Sequence, residues 1–385
     1  MIRSILFVHE IPIKEVKANL IQTLNMCYAF SKQGIRTKLL ILIQTPKKDA
    51  IEIVSNIIPN YSDFFKVDFI PYKPRFSFFS SFDRFKNLKK HIVFDYDCIF
   101  TRSPLVSIFV TKRKSNLIYE AHNSYFTKHK YLDKYYRLRF NKIIKNDSFK
   151  LFISISDNLK KYWVANNISK TKSIALHDGT CIEDKIVKPE EEFLFDDESR
   201  LKVVYTGSLY EDRGIHRLLK LAKDFSNVNF LVVGGPNENA NLYRAKAEED
   251  RISNVLFTGY VGHKYVPYYL SKANVLLALW SRSVPTIDYC SPLKIFEYMN
   301  SNKLIIADGF ITIKEVLTND ENAILCTPDD YGSLKFALND IIDNPNKLNI
   351  GKNNKELIRT KYSWDKRTEL ILEKLKERNS QNIQI

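Results

Sequence analysis

The sequence is poor in cysteine, and its few cysteines lack the spacing that would give them a structural role. The five cysteines are an odd number, lie far apart in the 385 residues and form no C-x-x-C pair. This argues against a disulfide framework or a zinc site and fits a reducing compartment. No apolar run reaches the ~20 residues that cross a bilayer. A strand pattern starts within the first ten residues and leaves no room for a signal peptide. We therefore expect a cytoplasmic protein that is at most peripheral to the inner face of the membrane.

Several motifs of nucleotide and sugar enzymes are also missing. Neither a Walker loop nor a G-x-G-x-x-G pattern occurs, so neither a P-loop NTPase nor a dinucleotide-dependent dehydrogenase is supported. The paired carboxylates of glycoside hydrolases are not visible. The chain is nevertheless 44% hydrophobic, which is enough to form cores and excludes wholesale disorder.

The positive charge is concentrated in one half of the chain. Residues 1–185 carry 32 Lys and Arg against 16 Asp and Glu, a net charge of +16, whereas residues 186–385 carry 27 against 28. Such an asymmetry indicates two domains that face different partners.

Short apolar runs alternate with longer amphipathic stretches, which predicts parallel strands covered by helices. In the first half we expect strands at residues 5–8, 38–43, 98–101, 117–120, 151–154 and 173–176. After an acidic, aperiodic segment the alternation restarts with LKVVYTG, NFLVVGG, NVLFTGYV, NVLLALW, KLIIADG and NAILCTP. The prediction is an α/β protein with two doubly wound Rossmann-like domains, at 1–180 and 201–362, a linker at 181–200, and a helix and tail at 363–385. Two such domains enclose a cleft, and their ligands bind beyond the carboxyl ends of the strands.

The segment VVYTGSLYEDRGIHRLL joins a buried strand to a helix through a short loop. Gly207 would allow a ligand close to the backbone, and the helix N-terminus would offer free N–H groups. Arg213 would supply a fork of donors to a diphosphate. The alternative is an ordinary strand-to-helix turn with an exposed arginine.

The segment DYCSPLKIFEYMNSNKLIIADG predicts a helix with Ser291 as its N-cap and Pro292 at its first position. Lys294 and Glu297 then share one face. They either form a surface ion pair, or Glu297 binds the hydroxyls of a ribose while Lys294 meets phosphate.

His122 follows the predicted strand in NLIYEAHNSYF and should lie at the edge of the cleft. It would bond a substrate hydroxyl or phosphate, or act as an acid or base. The alternative is a structural histidine that is satisfied by the backbone.

In this order and spacing, the segments resemble glycosyltransferase family 4, the group 1 glycosyltransferases of GT-B fold. The resemblance covers nearly the whole chain and is most specific in YTGSLYEDRG, NVLFTGYVGHKYVPYYLSKANVLL and SPLKIFEYMNSNKLIIADG, with IYEAHNSYF and FISISDNLKKYW in the first half. It implies a GT-B fold with the C-terminal helix crossing back. It also implies a retaining transfer of a sugar from a nucleoside diphosphate to a hydroxyl of a glycan or lipid-linked acceptor, in cell-surface polysaccharide synthesis and with neither metal nor cofactor.

The resemblance also assigns the site. The catalytic residues are expected to be His122, Arg213 and Glu297. The donor-binding residues are expected to be Gly207, Ser208, Arg213, Asp288, Ser291, Lys294 and Glu297.

The sequence departs from the family pattern in several places, and two of these are single donor-site positions. Tyr289 stands where the family has its earlier glutamate, with Asp288 beside it, and Ser208 stands where the family often has arginine. A relative that kept the fold as a weakly active or non-catalytic binding protein is therefore an alternative. A GT-B epimerase or a phosphorylase is another, although no pyridoxal lysine site is identified.

Two basic stretches carry most of the net positive charge of the first half. Residues 73–90 place Phe78, Phe82 and Phe85 at helical spacing, and residues 127–150 place Tyr131, Tyr135, Leu138 and Ile143 or Ile144 in an apolar stripe. Basic amphipathic helices with aromatic faces lie on anionic membranes. The alternative is that the aromatic residues pack in the core. No nucleic-acid motif occurs, and we expect no nucleic-acid partner.

Overall fold

The computed structural model of the chain describes residues 2–74, 80–182, 186–195, 197 and 199–381. The chain forms two compact units. Unit 1 consists of Met1–Cys181 and Ser363–Ile385, and unit 2 of Ile182–Tyr362. Phe78 of the first basic stretch and residues 183–185, 196 and 198 of the predicted linker lie outside the described residues.

Unit 1 is built on a parallel sheet whose strand order is that of a doubly wound fold. Its strands are β1 (Ser4–Ile13), β2 (Arg36–Ile43), β3 (Lys66–Pro71), β4 (Cys98–Thr101), β5 (Leu117–Ala121), β6 (Phe149–Ser154) and β7 (Ser173–Ala175). Within the described residues they pair in the order β3-β2-β1-β4-β5-β6-β7, and every pair is parallel. Strand β3 was not predicted, because this edge strand alternates exposed and half-buried residues instead of forming a continuous apolar run.

The helices of unit 1 lie between these strands. They are α1 (Ala18–Lys32), α2 (Lys47–Ile57), α3 (Ser80–Leu88), α4 (Pro104–Lys112), α5 (Lys130–Ile143) and α6 (Asp157–Ala165). The core side of α5 carries Tyr136 and Phe140, both buried, whereas Tyr131, Tyr135 and Leu138 are exposed. For these three residues the alternative of core packing was therefore wrong.

Unit 2 repeats the architecture of unit 1. Its strands are β8 (Leu201–Thr206), β9 (Val228–Val233), β10 (Val255–Gly259), β11 (Val275–Ala278), β12 (Leu304–Asp308) and β13 (Ile324–Cys326). They pair in parallel in the order β10-β9-β8-β11-β12-β13. The helices are α7 (Ile215–Asp224), α8 (Asn237–Glu249), α9 (Val266–Ser271), α10 (Leu293–Asn300), α11 (Tyr331–Asp343) and α12 (Asn354–Leu357). The prediction of two doubly wound α/β domains is confirmed.

The C-terminal helix returns to unit 1, as predicted. This helix, α13 (Trp364–Gln381), follows unit 2 in the chain but packs against α1. Lys32 on α1 donates to Asp365 on α13 over 2.6 Å, and Arg367 donates to the buried carboxylate of Glu120 over 2.8 Å. In the part of the chain that the structure describes, no helix is long and apolar enough to cross a bilayer.

In both sheets the order in which successive strands are added reverses at the centre. This reversal creates a crevice at the carboxyl ends of the strands. The reversal lies between β1 and β4 in unit 1 and between β8 and β11 in unit 2. The loops that follow β1 and β4, and those that follow β8 and β11, therefore flank the two candidate ligand positions.

A buried ion pair ties together the loops at this edge of unit 2. Arg217 on α7 binds Asp308 at the end of β12 with two hydrogen bonds of 2.8 and 2.7 Å, and both side chains are almost fully buried. Arg217 also donates to the carbonyl of Trp280, and Asp308 accepts from the backbone N–H groups of Trp280 and Asp329. The pair thus joins α7 to the segments that follow β11, β12 and β13.

We expect Asp308→Asn to destabilise unit 2, because the buried guanidinium of Arg217 would lose its charged partner. The expected loss in free energy of unfolding is about 3–5 kcal/mol, measured by urea unfolding with hydrogen exchange of unit 2 peptides as the signal. The control is Asp250→Asn, which breaks the exposed Lys223–Asp250 pair and should cost no more than about 1 kcal/mol. Equal losses in the two variants would contradict this role for Asp308.

Candidate functional site

In unit 2, two glycines bring neighbouring loops into close contact at the central crevice. Gly207 follows β8 with φ +130°, and its N–H donates to the carbonyl of Val233 over 2.9 Å. Gly234 has φ +142°, and a Cβ on this residue would lie 1.9 Å from the carbonyl oxygen of Gly207. A side chain at Gly234 is therefore excluded, and the two loops touch through their backbones.

The side chain of Lys294, on α10, fills the space beside the backbone of Gly207. Its Nζ would be 3.1 Å from a Cβ on Gly207, and it lies 4.0 Å from the ring centre of Tyr205 and 5.2 Å from that of Trp280. The Nζ is buried and has no hydrogen-bond acceptor among the described residues. A buried ammonium that lies against aromatic rings and lacks an acceptor is incompletely compensated.

The surroundings of Lys294 disfavour its charged form. Burial is the main cause and the nearby Arg213 guanidinium the second, and together they lower the pKa of Lys294 to about 7, against a smaller opposing effect of Glu297. An anion at this position would remove the penalty and restore the charge.

Arg213 ends a single 3-10 turn that leads into α7. Its Nε lies 3.4 Å from a carboxylate oxygen of Asp212 and makes no hydrogen bond to any described residue. Gly214, with φ +71°, forms the N-cap of α7 in the left-handed region that glycine adopts readily. The turn thus places a partly exposed guanidinium beside the N-terminus of a helix.

A cavity of about 790 Å³ opens beside this turn. It is lined by Tyr210, Glu211, Asp212, His216, Ser281 and Ser283. Hydroxyl and carboxylate groups therefore surround a space next to Arg213.

Glu297 pairs with a histidine and not with Lys294. The Nε2 of His263 lies 2.8 Å from Oε1 of Glu297, and both side chains are partly exposed. The alternative of a Lys294–Glu297 ion pair was therefore wrong, because α10 turns Lys294 towards the crevice and Glu297 towards the segment that follows β10.

The start of α10 also differs from the prediction. The helix begins at Leu293, and Pro292, with ψ 121°, is its N-cap. Ser291 is buried and precedes the cap, so it does not cap the helix itself. The proline has the extended backbone of a cap residue, which shifts the helix start by one residue. Asp288 is exposed in the preceding loop.

Tyr298 anchors α10 to the sheet. Its hydroxyl accepts from the backbone N–H of Thr206 over 2.8 Å and donates to the carbonyl of Leu277 over 3.1 Å. Tyr298 thereby fixes the position of α10 relative to β8 and β11. Ser208, next in the β8 loop, accepts the hydroxyl of Tyr205 at its carbonyl over 2.9 Å.

The candidate site of unit 1 contains His122, just beyond β5. Its Nε2 lies 2.7 Å from Oε1 of Glu120, and its side chain is one quarter exposed. The unit 2 residues and His122 thus belong to two separate units of the chain.

Glu120 is the centre of a buried polar network. It accepts from Gln22 over 2.8 Å, from Arg102 over 3.0 Å and from Arg367 over 2.8 Å. Burial alone would raise the pKa of the Glu120 carboxyl, but the guanidinium groups of Arg367 and Arg102 outweigh it and hold this pKa well below its ordinary value. Glu120 is therefore ionised at neutral pH.

Four residues that complete these sites were not predicted from the sequence. His263 follows β10 at the carboxyl edge of the sheet, but its polar surroundings in the sequence give no sign of this. Glu120 was treated as a strand residue, and Arg102 and Arg367 carried no local signal. A charged residue within a continuous apolar run, such as Glu120, is the signal that would have indicated a buried partner.

Comparisons with known proteins place the chain near sugar-transferring enzymes. Residues 188–358 match the family model of glycosyl transferases group 1. No curated protein matches the chain at a significant level of sequence similarity.

Solved structures resemble the chain over nearly its whole length. HepE from Anabaena, in complex with UDP and glucose, has 15% identity and a TM-score of 0.71, with 98% of this chain and 100% of that chain covered. Sucrose-phosphate synthase from Thermosynechococcus elongatus has 18% identity and a TM-score of 0.73, with 98% and 99% covered. The apo lipopolysaccharide outer core galactosyltransferase WaaB has 14% identity and a TM-score of 0.64, with 95% and 98% covered. At these identities the likeness is one of fold, and it confirms the predicted GT-B fold.

We expect Lys294→Met to stabilise unit 2 at neutral pH and to change how its stability depends on pH. The folded pKa of Lys294, about 7, lies below the ordinary value of 10.5, so between these values the unfolded state binds more protons and the wild type gains stability as the pH rises. The gain of the variant over the wild type in free energy of unfolding should therefore be largest near pH 7. It should shrink by on the order of 3 kcal/mol towards pH 10.

Urea unfolding at several pH values measures this difference. Lys223→Met removes the same charge from an exposed site and is the control, with no comparable dependence on pH expected. A Lys294→Met advantage that is independent of pH would contradict the assigned environment of Lys294.

Proposed function

We propose that the chain is a glycosyltransferase that moves a sugar from a nucleoside diphosphate to a hydroxyl of a glycan or lipid-linked acceptor, with retention of anomeric configuration, in cell-surface polysaccharide synthesis. The observation that carries the proposal is the buried Nζ of Lys294, which lies at the central crevice of unit 2 without an acceptor among the described residues. An ammonium in this setting is compensated by an anionic ligand.

A diphosphate suits the groups around Lys294. Arg213 supplies a second cation near Lys294, and it lies at the N-terminus of α7, where backbone N–H groups favour negative charge. Gly207 has no side chain, so Lys294 packs directly against the backbone at the end of β8. Two cations and a helix N-terminus together fit two phosphate groups better than one carboxylate.

The Glu297–His263 pair suits the ribose of the same ligand. A carboxylate that accepts from two vicinal hydroxyls is common in nucleotide sites. Glu297 keeps acceptor capacity beyond its bond to His263, because one carboxylate has about four lone-pair positions. It is also close enough to Lys294 to affect the pKa of that lysine. Phosphate and ribose contacts thus come from the same helix.

The compared proteins support a nucleotide-sugar donor. HepE is bound to UDP with glucose in one structure and to UDP-glucose in another. The match of residues 188–358 to group 1 glycosyl transferases covers Arg213, Lys294 and Glu297. We accordingly assign the donor to unit 2.

The proposed transfer balances without a covalent enzyme intermediate. The acceptor oxygen bonds to the anomeric carbon, the bond from that carbon to the phosphate oxygen breaks, and the proton of the acceptor hydroxyl passes to the departing phosphate oxygen. Negative charge builds up on the diphosphate during this step, and Arg213 and Lys294 are placed to stabilise it. We expect the reaction to proceed without a metal.

We further propose that unit 1 contacts an anionic membrane through α5, which would bring it to a lipid-linked acceptor. Tyr131 is 80% exposed, Leu138 59% and Tyr135 43%. Exposed lysines and arginines flank them, at Lys128, Lys130, Lys134, Arg139 and Lys142. Since the core side of α5 is formed by other residues, this apolar stripe is free to enter the interface of a bilayer.

We expect Arg213→Ala and Glu297→Ala each to weaken nucleotide binding by at least about tenfold, because each removes a charge-assisted contact. A thermal-shift screen with UDP, GDP and ADP selects the best ligand, since a bound ligand stabilises the fold by mass action. Calorimetry then measures its affinity for each variant.

The control for this experiment is Lys335→Ala, which removes an exposed cation of unit 2 that pairs with Asp224. Its affinity should equal that of the wild type. If both site variants bind as tightly as the control, the assignment of the donor site is wrong.

For the membrane contact, the wild type should sediment with vesicles of anionic phospholipid at low salt and be released as the salt rises. The double variant Tyr131→Ser, Leu138→Ser should bind several-fold more weakly, because the apolar stripe is lost. Phe336→Ser, which changes a 72% exposed aromatic residue of unit 2, is the matched control. Absence of wild-type binding even at low salt would refute the contact.

A further inference from the structure

We propose that Glu120 is a positioning residue of the transfer, which holds His122 as a neutral imidazole with Nε2 protonated and offers Nδ1 as a hydrogen-bond acceptor to a substrate hydroxyl. The inference rests on the proposed function, because a sugar substrate supplies the hydroxyl. It assigns a task to Glu120 and, through Arg367, to the C-terminal helix.

The protonation of Nε2 follows from the charge of its partner. Glu120 is ionised, and an ionised carboxylate only accepts hydrogen bonds. The 2.7 Å contact between Oε1 of Glu120 and Nε2 of His122 therefore requires the proton on Nε2. In a neutral imidazole, Nδ1 then carries a lone pair.

The neutral state of His122 follows from the groups around it. Burial and the Arg102 guanidinium lower the pKa of His122, while Glu120 and Asp178 act in the opposite direction. His9 on β1 also faces this region, and its own pKa falls to about 3 through burial, Arg102 and His122. Glu120 already has two guanidinium partners, so a third cation on His122 is not needed to balance its charge.

The position of His122 leaves Nδ1 open to a ligand. The side chain stands just beyond the carboxyl end of β5, where ligands of doubly wound sheets bind, and it is one quarter exposed. In the described part of the chain, the hydrogen bonds of His122 are those of Nε2 with Glu120. A lone-pair nitrogen selects a ligand that donates, such as the hydroxyl of a sugar.

The remaining partners of Glu120 fix its orientation. Arg102 binds the same oxygen as His122, and Arg367 binds the other oxygen, Oε2. Gln22 links Glu120 to Asp178 through its amide nitrogen, over 2.8 and 3.0 Å. The carboxylate is therefore held on both oxygens, and it cannot rotate away from His122 without breaking these bonds.

Arg367 reaches this network from α13, and its other bonds hold it there. It donates to the carbonyls of His177 and Leu176 over 2.8 and 3.2 Å. Its side chain is almost fully buried. The last helix of the chain thus contributes to the state of His122. In the sequence, Arg367 lies 247 positions after Glu120 and 245 positions after His122.

The first test reads the tautomer directly. Nitrogen NMR of the full-length protein with ¹⁵N-labelled histidine, assigned by comparison with His122→Gln, should show a neutral His122 with Nε2 protonated at pH 7. The same tautomer should persist down to at least about pH 6, below the ordinary histidine pKa. A His122 that is charged at pH 7, or protonated on Nδ1, would overturn the proposal.

The second test changes the partner. Glu120→Gln should remove the fixed tautomer in the NMR spectrum and lower kcat by at least about tenfold, as loss of the correct tautomer does in other enzymes, while the KM for the donor changes little. Asp365→Asn is the control. Asp365 lies on α13, the helix that carries Arg367, and the variant breaks its exposed ion pair with Lys32. It should keep the tautomer and the activity of the wild type.

The two proposals fail in different ways. If Arg213→Ala and Glu297→Ala leave nucleotide affinity intact, the proposed function is wrong whatever the state of His122. If nucleotide binding behaves as expected but Glu120→Gln turns over like the wild type, the role of Glu120 is wrong. If Glu120→Gln does not fold, the tautomer of His122 in the wild type decides whether the proposal for Glu120 holds.

Discussion

One buried carboxylate, that of Glu120, joins the fold of unit 1 to its candidate site. A charge removed from water is tolerated only where opposite charges and donors compensate for it. Glu120 takes these from α1, from the loop after β4 and from α13, through Gln22, Arg102 and Arg367. The same carboxylate holds His122. Because Arg367 comes after unit 2 in the chain, the helix that returns to unit 1 also contributes to the state of the histidine.

Unit 2 uses charge in two contrasting ways. The pair of Arg217 and Asp308 is buried, and each charge is compensated by its partner through two hydrogen bonds, so it stabilises the loops around the crevice. Lys294 is buried beside Gly207 and meets no acceptor in the part of the chain that the structure describes, which costs stability in the absence of a ligand. A satisfied charge is a structural element, whereas an unsatisfied one at the mouth of a crevice indicates a binding site. This contrast separates scaffold from ligand-binding residues more clearly than position in the sequence does.

The second basic stretch shows that periodicity does not determine which face of a helix packs in the core. The spacing of Tyr131, Tyr135 and Leu138 correctly predicted one apolar face of a helix. The core nevertheless takes the other apolar face, with Tyr136 and Phe140. A helix with two apolar faces has a pattern that fits either orientation, because periodicity records which residues share a face and not what that face contacts. Edge strand β3 was missed for a related reason, since its pattern reflects exposure at the margin of the sheet.

The sequence by itself determined the two doubly wound units and the loops that carry Gly207, Arg213, Glu297 and His122, because strand, turn and helix signals are local and repeat in a fixed order. Only the tertiary structure decided the partners of the charged groups. Glu297 meets a histidine that follows another strand, Lys294 enters the crevice, and Glu120 meets an arginine from the last helix. Contacts of this kind depend on the order of strands in the sheet and on the path of the chain between units, and neither is encoded in the spacing of neighbouring residues.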